Sequence, residues 1–366
     1  MSLLKAFLME QQKIMYATIK GSLTENDGVF SGFSASNYLQ IKNINFYQNT
    51  SFEYNIAFLS SNVSSTENIL NCYSLLIRKI YSKIQCYVRV GGSQTEIIGT
   101  TTLSNNQLYY VRVRYTLTTV DLYLSTDGKN YNLENSINVQ IDNASNNTIQ
   151  IGYETETIDL NKSYIKLGST KYKLQAVVGY TVVGSPTITD GVVSGFSAYP
   201  NINSGYYVKI NNFTYNNTFE IQVKIKTGET IGGTVLGQAN TSPKVGILNT
   251  SLRETNFSCN LKDQNNQDII NVSNIGYADA RRLSINTDYI LNLKFTGTEY
   301  IYTLVDMNGT YYINRVISSS AKLRVGSLAF GINYVDVAYT AWDGAIDMNE
   351  TWIKTDNKLF FNGQQV

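Results

Sequence analysis

Two glutamates at alternate positions come nearest to a catalytic pair in this sequence. Glu154 and Glu156 are separated by one residue, and alternate residues of a β-strand point to the same face. Two carboxyl groups held close together are what glycoside hydrolysis requires. The second half of the chain carries no counterpart to this pair. We therefore predict two exposed acids, no catalytic residues and a protein that is not an enzyme.

A group of aromatic residues with one acid is a better candidate for binding. Tyr334, Tyr339, Trp342 and Asp343 lie in a segment that is longer in the second half of the chain than in the first. Sugar rings stack on aromatic faces, and Tyr and Trp also suit wet protein interfaces. These four residues are the predicted binding site, with packing or protein contact as the open alternative.

The overall composition excludes several kinds of chemistry. The 366 residues include no histidine, so His-based acid–base catalysis and the commonest metal ligand are absent. A formal net charge of +1 provides no general attraction for nucleic acid. No apolar run reaches the length that a membrane span needs. No D-x-D-x-D-G calcium loop occurs. We expect no cofactor, no metal, no nucleic-acid partner and no membrane span.

The three cysteines do not form a disulfide framework. Cys72, Cys86 and Cys259 are odd in number and irregular in spacing. Buried thiols are the favoured interpretation, and a bond between Cys72 and Cys86 is left open.

A basic stretch in the first half is interleaved with tyrosines. It contains Arg78, Lys79, Lys83 and Arg89, and the combination is superficially similar to a nucleic-acid surface. Because the net charge is so low, we interpret this stretch as a solvated strand face.

The chain contains an internal duplication. Residues 28–35 (GVFSGFSA) recur as residues 191–198 (GVVSGFSA), and further matches follow in the same order. A repeat of this length indicates two homologous domains in tandem. We place them at residues 15–175 and 176–366.

Within each half the pattern is that of short β-strands. Val111, Val113 and Tyr115 alternate with polar residues, as in a strand with one buried and one wet face. Asp127-Gly128 and Asn308-Gly309 are dipeptides that favour tight hairpin turns. An all-β fold is therefore predicted.

Residues 1–14 stand outside the duplication. Leu4, Phe7 and Leu8 fall on one face of a helix. So short a helix must dock on something to persist in water. We predict a docking helix over 1–14, held either by its own domain or, as an assembly anchor, by another subunit.

Two matching segments point to a known family. Residues 158–165 (IDLNKSYI) and 346–353 (IDMNETWI) resemble the closing strand of concanavalin A-like, laminin G-like jelly rolls. The resemblance implies two tandem jelly-roll β-sandwiches preceded by a short N-terminal helix. Some relatives of that fold are glucanases with acidic residues at alternate positions, a spacing that Glu154 and Glu156 approach.

Tandem domains of this composition also resemble bacteriophage virion proteins. That resemblance implies a non-enzymatic structural protein of the head or tail, an appendage or adaptor made in the host cytoplasm and located in the virion. It would assemble with other virion proteins as a homo-oligomer or as part of a larger assembly. The alternative is a carbohydrate-binding adhesin module that recognises host surface glycans, and the third hypothesis is a glycan hydrolase.

Overall fold

The structure is a computed structural model that describes most of the chain. The described residues are 13–42, 50–142, 148–153, 157–197, 205–238, 248–263, 265, 267–323, 326–331 and 341–365. Nearly every element is a β-strand, so the predicted all-β class is confirmed. By internal contacts the chain divides into two compact units, residues 1–177 and 178–366. The domain ranges inferred from the duplication stay predictions.

The first unit consists of two antiparallel sheets. Its strands are β1 (Lys13–Lys20), β2 (Thr24–Asn26), β3 (Val29–Ser31), β4 (Tyr38–Ile41), β5 (Phe52–Ser60), β6 (Thr66–Cys72), β7 (Leu75–Ile80), β8 (Lys83–Val90), β9 (Ser93–Ile98), β10 (Gln107–Tyr115), β11 (Thr119–Ser125), β12 (Asn132–Asn138), β13 (Ile149–Ile151), β14 (Thr157–Leu167) and the start of β15 (Thr170–Val183). One sheet has the order β2-β3-β14-β5-β10-β11-β12. The other has the order β1-β4-β13-β6-β7-β8-β9.

The core of the first unit is built by the strand alternation that the sequence shows. Val111, Val113 and Tyr115 of β10 are fully buried. Residues from both sheets join them in one hydrophobic cluster. Burying a large apolar side chain contributes about 1.5–3 kcal/mol, so this face holds β10 in place while Arg112 and Arg114 face outward.

The second unit repeats the strand order of the first. Its elements are the end of β15, then β16 (Thr187–Thr189), β17 (Val192–Ser194), β18 (Tyr207–Phe213), β19 (Phe219–Lys226), β20 (Gly232–Gln238), β21 (Leu248–Arg253), β22 (Asn256–Lys262), β23 (Asp268–Gly276), a 3₁₀ turn (Ala278–Ala280), β24 (Asp288–Phe295), β25 (Glu299–Asp306), β26 (Tyr311–Ser318), β27 (Gly326–Phe330), β28 (Ala345–Thr355) and β29 (Lys358–Gln365). The sheets run β16-β17-β28-β19-β24-β25-β26 and β15-β18-β27-β20-β21-β22-β23.

The duplicated motifs make the same contacts in both units. Asn161 Nδ2 donates to the Asp27 carbonyl at 2.6 Å, and Asn349 Nδ2 donates to the Asp190 carbonyl at 2.7 Å. The glycine after each aspartate has φ of 77° or 80°. A Cβ there would lie 2.5 or 2.4 Å from the asparagine amide. Both copies of the motif therefore need glycine for conformation and for space.

The N-terminal segment is described only from Lys13 onward. Lys13 and Ile14, predicted as the end of a helix, belong to strand β1. The rest of the predicted helix, with the anchor residues Leu4, Phe7 and Leu8, lies outside the described residues. Within the described ranges, no helix has the length and apolar character needed to cross a membrane.

One lysine of the basic stretch in the first unit is buried. Lys79 does not lie on a solvated face, since its side chain is 0% exposed. It shares the core-facing side of β7 with Ile77, because alternate residues of a strand point the same way.

All three cysteines are free thiols. Burial raises the pKa of Cys72 to about 11 and that of Cys259 to about 12.

Candidate functional site

A pocket of about 490 Å³ opens at one end of the second unit. Its volume falls within the range of small-molecule binding sites. The lining residues are Ser194, Gly195, Phe196, Lys226, Thr227, Gly228, Glu229, Thr230, Asn286, Trp342, Asp343, Gly344 and Ala345. The pocket thus includes Trp342 and Asp343, two of the four residues predicted from the sequence to bind a ligand.

Strand register brings the walls of the pocket together. Ala345, at the start of β28, pairs with Ser194 on one side and Lys226 on the other. The ends of β17 and β19 therefore lie beside the start of β28. Asn286, two residues before β24, adds a fourth wall from a backbone with φ of 50°.

Two glycines allow the loops at the pocket to approach each other closely. A Cβ on Gly228 would lie 1.5 Å from the Asp343 carbonyl oxygen. A Cβ on Gly344 would lie 2.1 Å from the Lys226 carbonyl oxygen and 2.6 Å from Trp342 Nε1. No side chain fits at either position, so the shape of the pocket depends on both glycines.

Asp343 is exposed and held in a defined position. Its Oδ2 accepts a hydrogen bond from the Thr230 backbone N–H at 2.9 Å and another from the Thr230 hydroxyl. Its own N–H donates to the Gly232 carbonyl at 3.0 Å. In the part of the chain that the structure describes, nothing donates to Asp343 Oδ1, which leaves this oxygen to accept from a ligand.

Trp342 is a core residue that borders the pocket. Its side chain is only 1% exposed and belongs to the hydrophobic cluster of the second unit. The ring face is covered, so Trp342 does not offer the stacking surface that the sequence suggested. Its indole Nε1 is buried and finds no acceptor among the described residues.

Three exposed polar side chains complete the pocket, and none of them was predicted from the sequence. Lys226, Glu229 and Asn286 all line it and are exposed. Lys226 is the last residue on the polar face of β19. That face begins at Glu220 and includes every second residue of the strand. That alternation was visible in the sequence, but the strand pairing that places Lys226 beside Ala345, at the start of β28, was not.

The remaining site candidates lie outside the described residues. Tyr334 and Tyr339 fall in residues 332–340, and Glu154 with Glu156 falls in residues 154–156.

The corresponding positions of the first unit differ in chemistry. Leu59 pairs with Thr157 as Lys226 pairs with Ala345, so the first unit has leucine where the pocket has lysine. Trp342 also has no tryptophan counterpart in the shorter segment after Gly152.

A second difference lies just behind the pocket. Glu67 and Lys79 pair across β6 and β7, where Gly233 and Leu252 pair across β20 and β21. A Cβ on Gly233 would lie 2.9 Å from the Cα of Trp342. The second unit thus places the Trp342 segment where the first unit buries an ion pair.

Comparison with known proteins finds similarity in structure only. No protein-family model and no curated protein matches the sequence. Domains LG4-5 of the mouse laminin alpha1 chain give a TM-score of 0.31 at 11% identity, covering 98% of this chain and 99% of that one. The receptor-binding domain of botulinum neurotoxin C/D mosaic serotype gives 0.32 at 10% identity, covering 95% and 92%.

A third similar structure is that of botulinum neurotoxin type C, whose cell entry is dependent upon interaction with two ganglioside molecules. Its TM-score is 0.31 at 12% identity, and the match covers 84% of this chain and 73% of that chain. These three neighbours are a laminin G domain pair and two toxin structures. At such scores the likeness carries no argument about what this chain binds.

Proposed function

We propose that the protein is a non-enzymatic binding module and that the pocket of its second unit takes a carbohydrate. The observation that carries the proposal is the convergence of four exposed polar side chains on one pocket of about 490 Å³. These side chains are Lys226, Glu229, Asn286 and Asp343.

The mixture of groups suits a ligand rich in hydroxyls. A sugar hydroxyl both donates and accepts hydrogen bonds. Carboxylates such as Asp343 accept, the ammonium of Lys226 donates, and the amide of Asn286 does both. Because Asp343 is already fixed through Thr230, it is preorganised and loses little conformational entropy when a ligand binds.

The test is binding of glycans to the full chain. A glycan array identifies the sugar, and titration calorimetry then measures the affinity for it. Asp343→Asn and Lys226→Leu are each expected to lower the affinity by about tenfold, since a hydrogen bond to a charged group contributes about 1.5–3 kcal/mol. Lys226→Leu installs the residue that the first unit carries as Leu59.

Glu96→Gln is the matched control, because it removes one exposed carboxylate from strand β9 of the first unit. It should leave the affinity unchanged. The proposal is overturned if the wild-type chain binds no glycan. It is also overturned if the wild type and Asp343→Asn bind the glycan with equal affinity. Release of reducing ends from a retained glycan would favour the hydrolase hypothesis instead.

The virion role stays a prediction of the sequence. Location in a phage particle and assembly with other virion proteins are tested by immunogold labelling of particles and by the mass of the chain in solution.

A further inference from the structure

The outer face of one sheet in the first unit carries two rows of polar side chains. They cross strands β15, β14, β5, β10 and β11. One row is Lys171, Lys166, Glu53, Arg114 and Asp121, and the other is Lys173, Tyr164, Asn55, Arg112 and Tyr123. The residues between them in sequence, such as Ile165, Tyr54 and Val113, are buried. Strands lie about 4.8 Å apart, so each row spans roughly 19 Å.

Positive charge is concentrated on this face, which we call the lysine face. The two rows hold five basic and two acidic side chains, although the whole chain carries a net charge of only +1. Both acids are already engaged, Glu53 with Arg112 at 3.5 Å and Asp121 with Arg114 at 2.8 Å. The lysines of β14 and β15 are left as the excess charge.

Two of these lysines face each other across neighbouring strands and repel each other. Lys166 lies directly opposite Lys171 across β14 and β15, and like charges in that position are destabilising. Lys171 Nζ lies 3.7 Å from the ring centre of Tyr164. Among the described ion pairs, none involves Lys166, Lys171 or Lys173.

The equivalent rows of the second unit are nearly neutral, which supplies an internal comparison. They hold Leu359, Lys354, Glu220, Lys294 and Ile301 in one row, and Trp352, Gln222, Asn292 and Thr303 in the other. Lys294 pairs with Glu220 at 3.7 Å. Because the strand order is the same, the fold itself does not require the charge that the first unit carries.

We propose that the lysine face binds an acidic polysaccharide. Three lysines on the adjacent strands β14 and β15 suit a polymer with several negative charges better than a single small ion. A cation lies over each of its two rings, since Lys171 Nζ lies 3.7 Å from the ring centre of Tyr164 and the Arg114 guanidinium carbon lies 5.3 Å from that of Tyr123. Nucleic-acid bases therefore find no open stacking platform on these two rings.

The polar character of the lysine face also argues against a protein partner. Protein interfaces have a core that is aromatic or apolar and depleted of charge, whereas these rows are polar from edge to edge. A hydrated polymer with regularly spaced carboxylates meets the lysines and can also hydrogen-bond with the half-buried hydroxyls of Tyr164 and Tyr123. This site is independent of the pocket in the second unit.

The experiment measures binding of the full chain to immobilised polygalacturonate, with neutral dextran as the uncharged comparison. Lys171→Gln/Lys173→Gln should lower the affinity on the order of tenfold at low salt, because each neutralised cation near a polyanion removes a screened attraction. The affinity of the wild type should also fall as salt rises, and more steeply than that of the variant.

The matched control is Lys294→Gln/Lys354→Gln, which removes the same charge from the equivalent rows of the second unit. It should leave the affinity within about twofold of the wild type. Equal loss in both double variants, or no binding to polygalacturonate, would overturn the proposal. Tighter binding to poly-glutamate or to single-stranded DNA than to polygalacturonate would overturn the choice of partner.

Discussion

Lys79 Nζ lies 2.8 Å from Glu67 Oε1, and both side chains are almost completely buried. Lys79 also donates to Ser65 Oγ at 3.3 Å and to the carbonyl of Asn62. The pair thereby connects the β6–β7 hairpin to the loop that precedes it. In the second unit Leu252 occupies the position of Lys79, and Gly233 occupies that of Glu67.

Breaking this pair should destabilise the first unit strongly. Lys79→Met leaves Glu67 as a buried carboxylate without its cation, which costs about 3–5 kcal/mol. Lys79→Met/Glu67→Met removes both charges and should recover a large part of that loss. Chemical denaturation monitored by circular dichroism measures the difference. Equal destabilisation in the single and double variants would show that packing, and not the uncompensated charge, sets the cost.

Glu134 should make the first unit sensitive to acid. Its carboxylate accepts the N–H groups of Thr100 and Thr101, each at 2.7 Å, and both hydroxyls. Burial acts to raise its pKa, but these hydrogen bonds outweigh burial and hold the pKa of Glu134 below its usual value. A lowered folded-state pKa contributes stability above the unfolded pKa of about 4.3.

That stability is lost as the pH falls through the folded-state pKa. Glu134→Gln should therefore destabilise the protein by about 1.5–3 kcal/mol at pH 7, and by less at pH 3. Denaturation curves at the two pH values test this. The same destabilisation by Glu134→Gln at both would contradict a role for the carboxylate charge.

Gly344→Ala should deform the pocket of the second unit. The new Cβ would meet the Lys226 carbonyl at 2.1 Å, so the backbone must shift at a cost of about 1–3 kcal/mol. Gly276→Ala is the control, because its Cβ would find Thr255 O no nearer than 3.9 Å. The first variant should lower the thermal midpoint and weaken glycan binding, while the second should do neither.

The thiols of Cys86 and Cys259 should be unreactive until the chain unfolds. Cys86 and Cys259 are buried, and burial raises the pKa of both above that of an ordinary thiol, so little thiolate is present at neutral pH. A chromogenic disulfide reagent should label neither in buffer and both in denaturant. A reducing agent should leave the thermal midpoint unchanged, and a fall of several degrees would reveal a bond.

The alternation of residues in single strands was enough to predict the class of fold. Val111, Val113 and Tyr115 are buried as their spacing indicated, because a strand has a period of two whatever its neighbours are. The repeated Asp-Gly and Asn motifs also make equal contacts in both units. The alternation depends only on a short stretch of chain. The motifs are visible in the sequence as a repeat, although their contacts join residues 134 and 159 positions apart.

The sequence by itself determined which residues alternate and which motifs recur, but the tertiary structure decided which polar and aromatic side chains are inside. Lys79 was assigned to solvent and is buried, because only the pairing of β6 with β7 brings Glu67 to it. Trp342 was offered as a binding surface and is covered by the core. The pocket exists because Ala345 pairs with both Ser194 and Lys226, and strand register over such long separations in sequence is set by the packing of whole sheets.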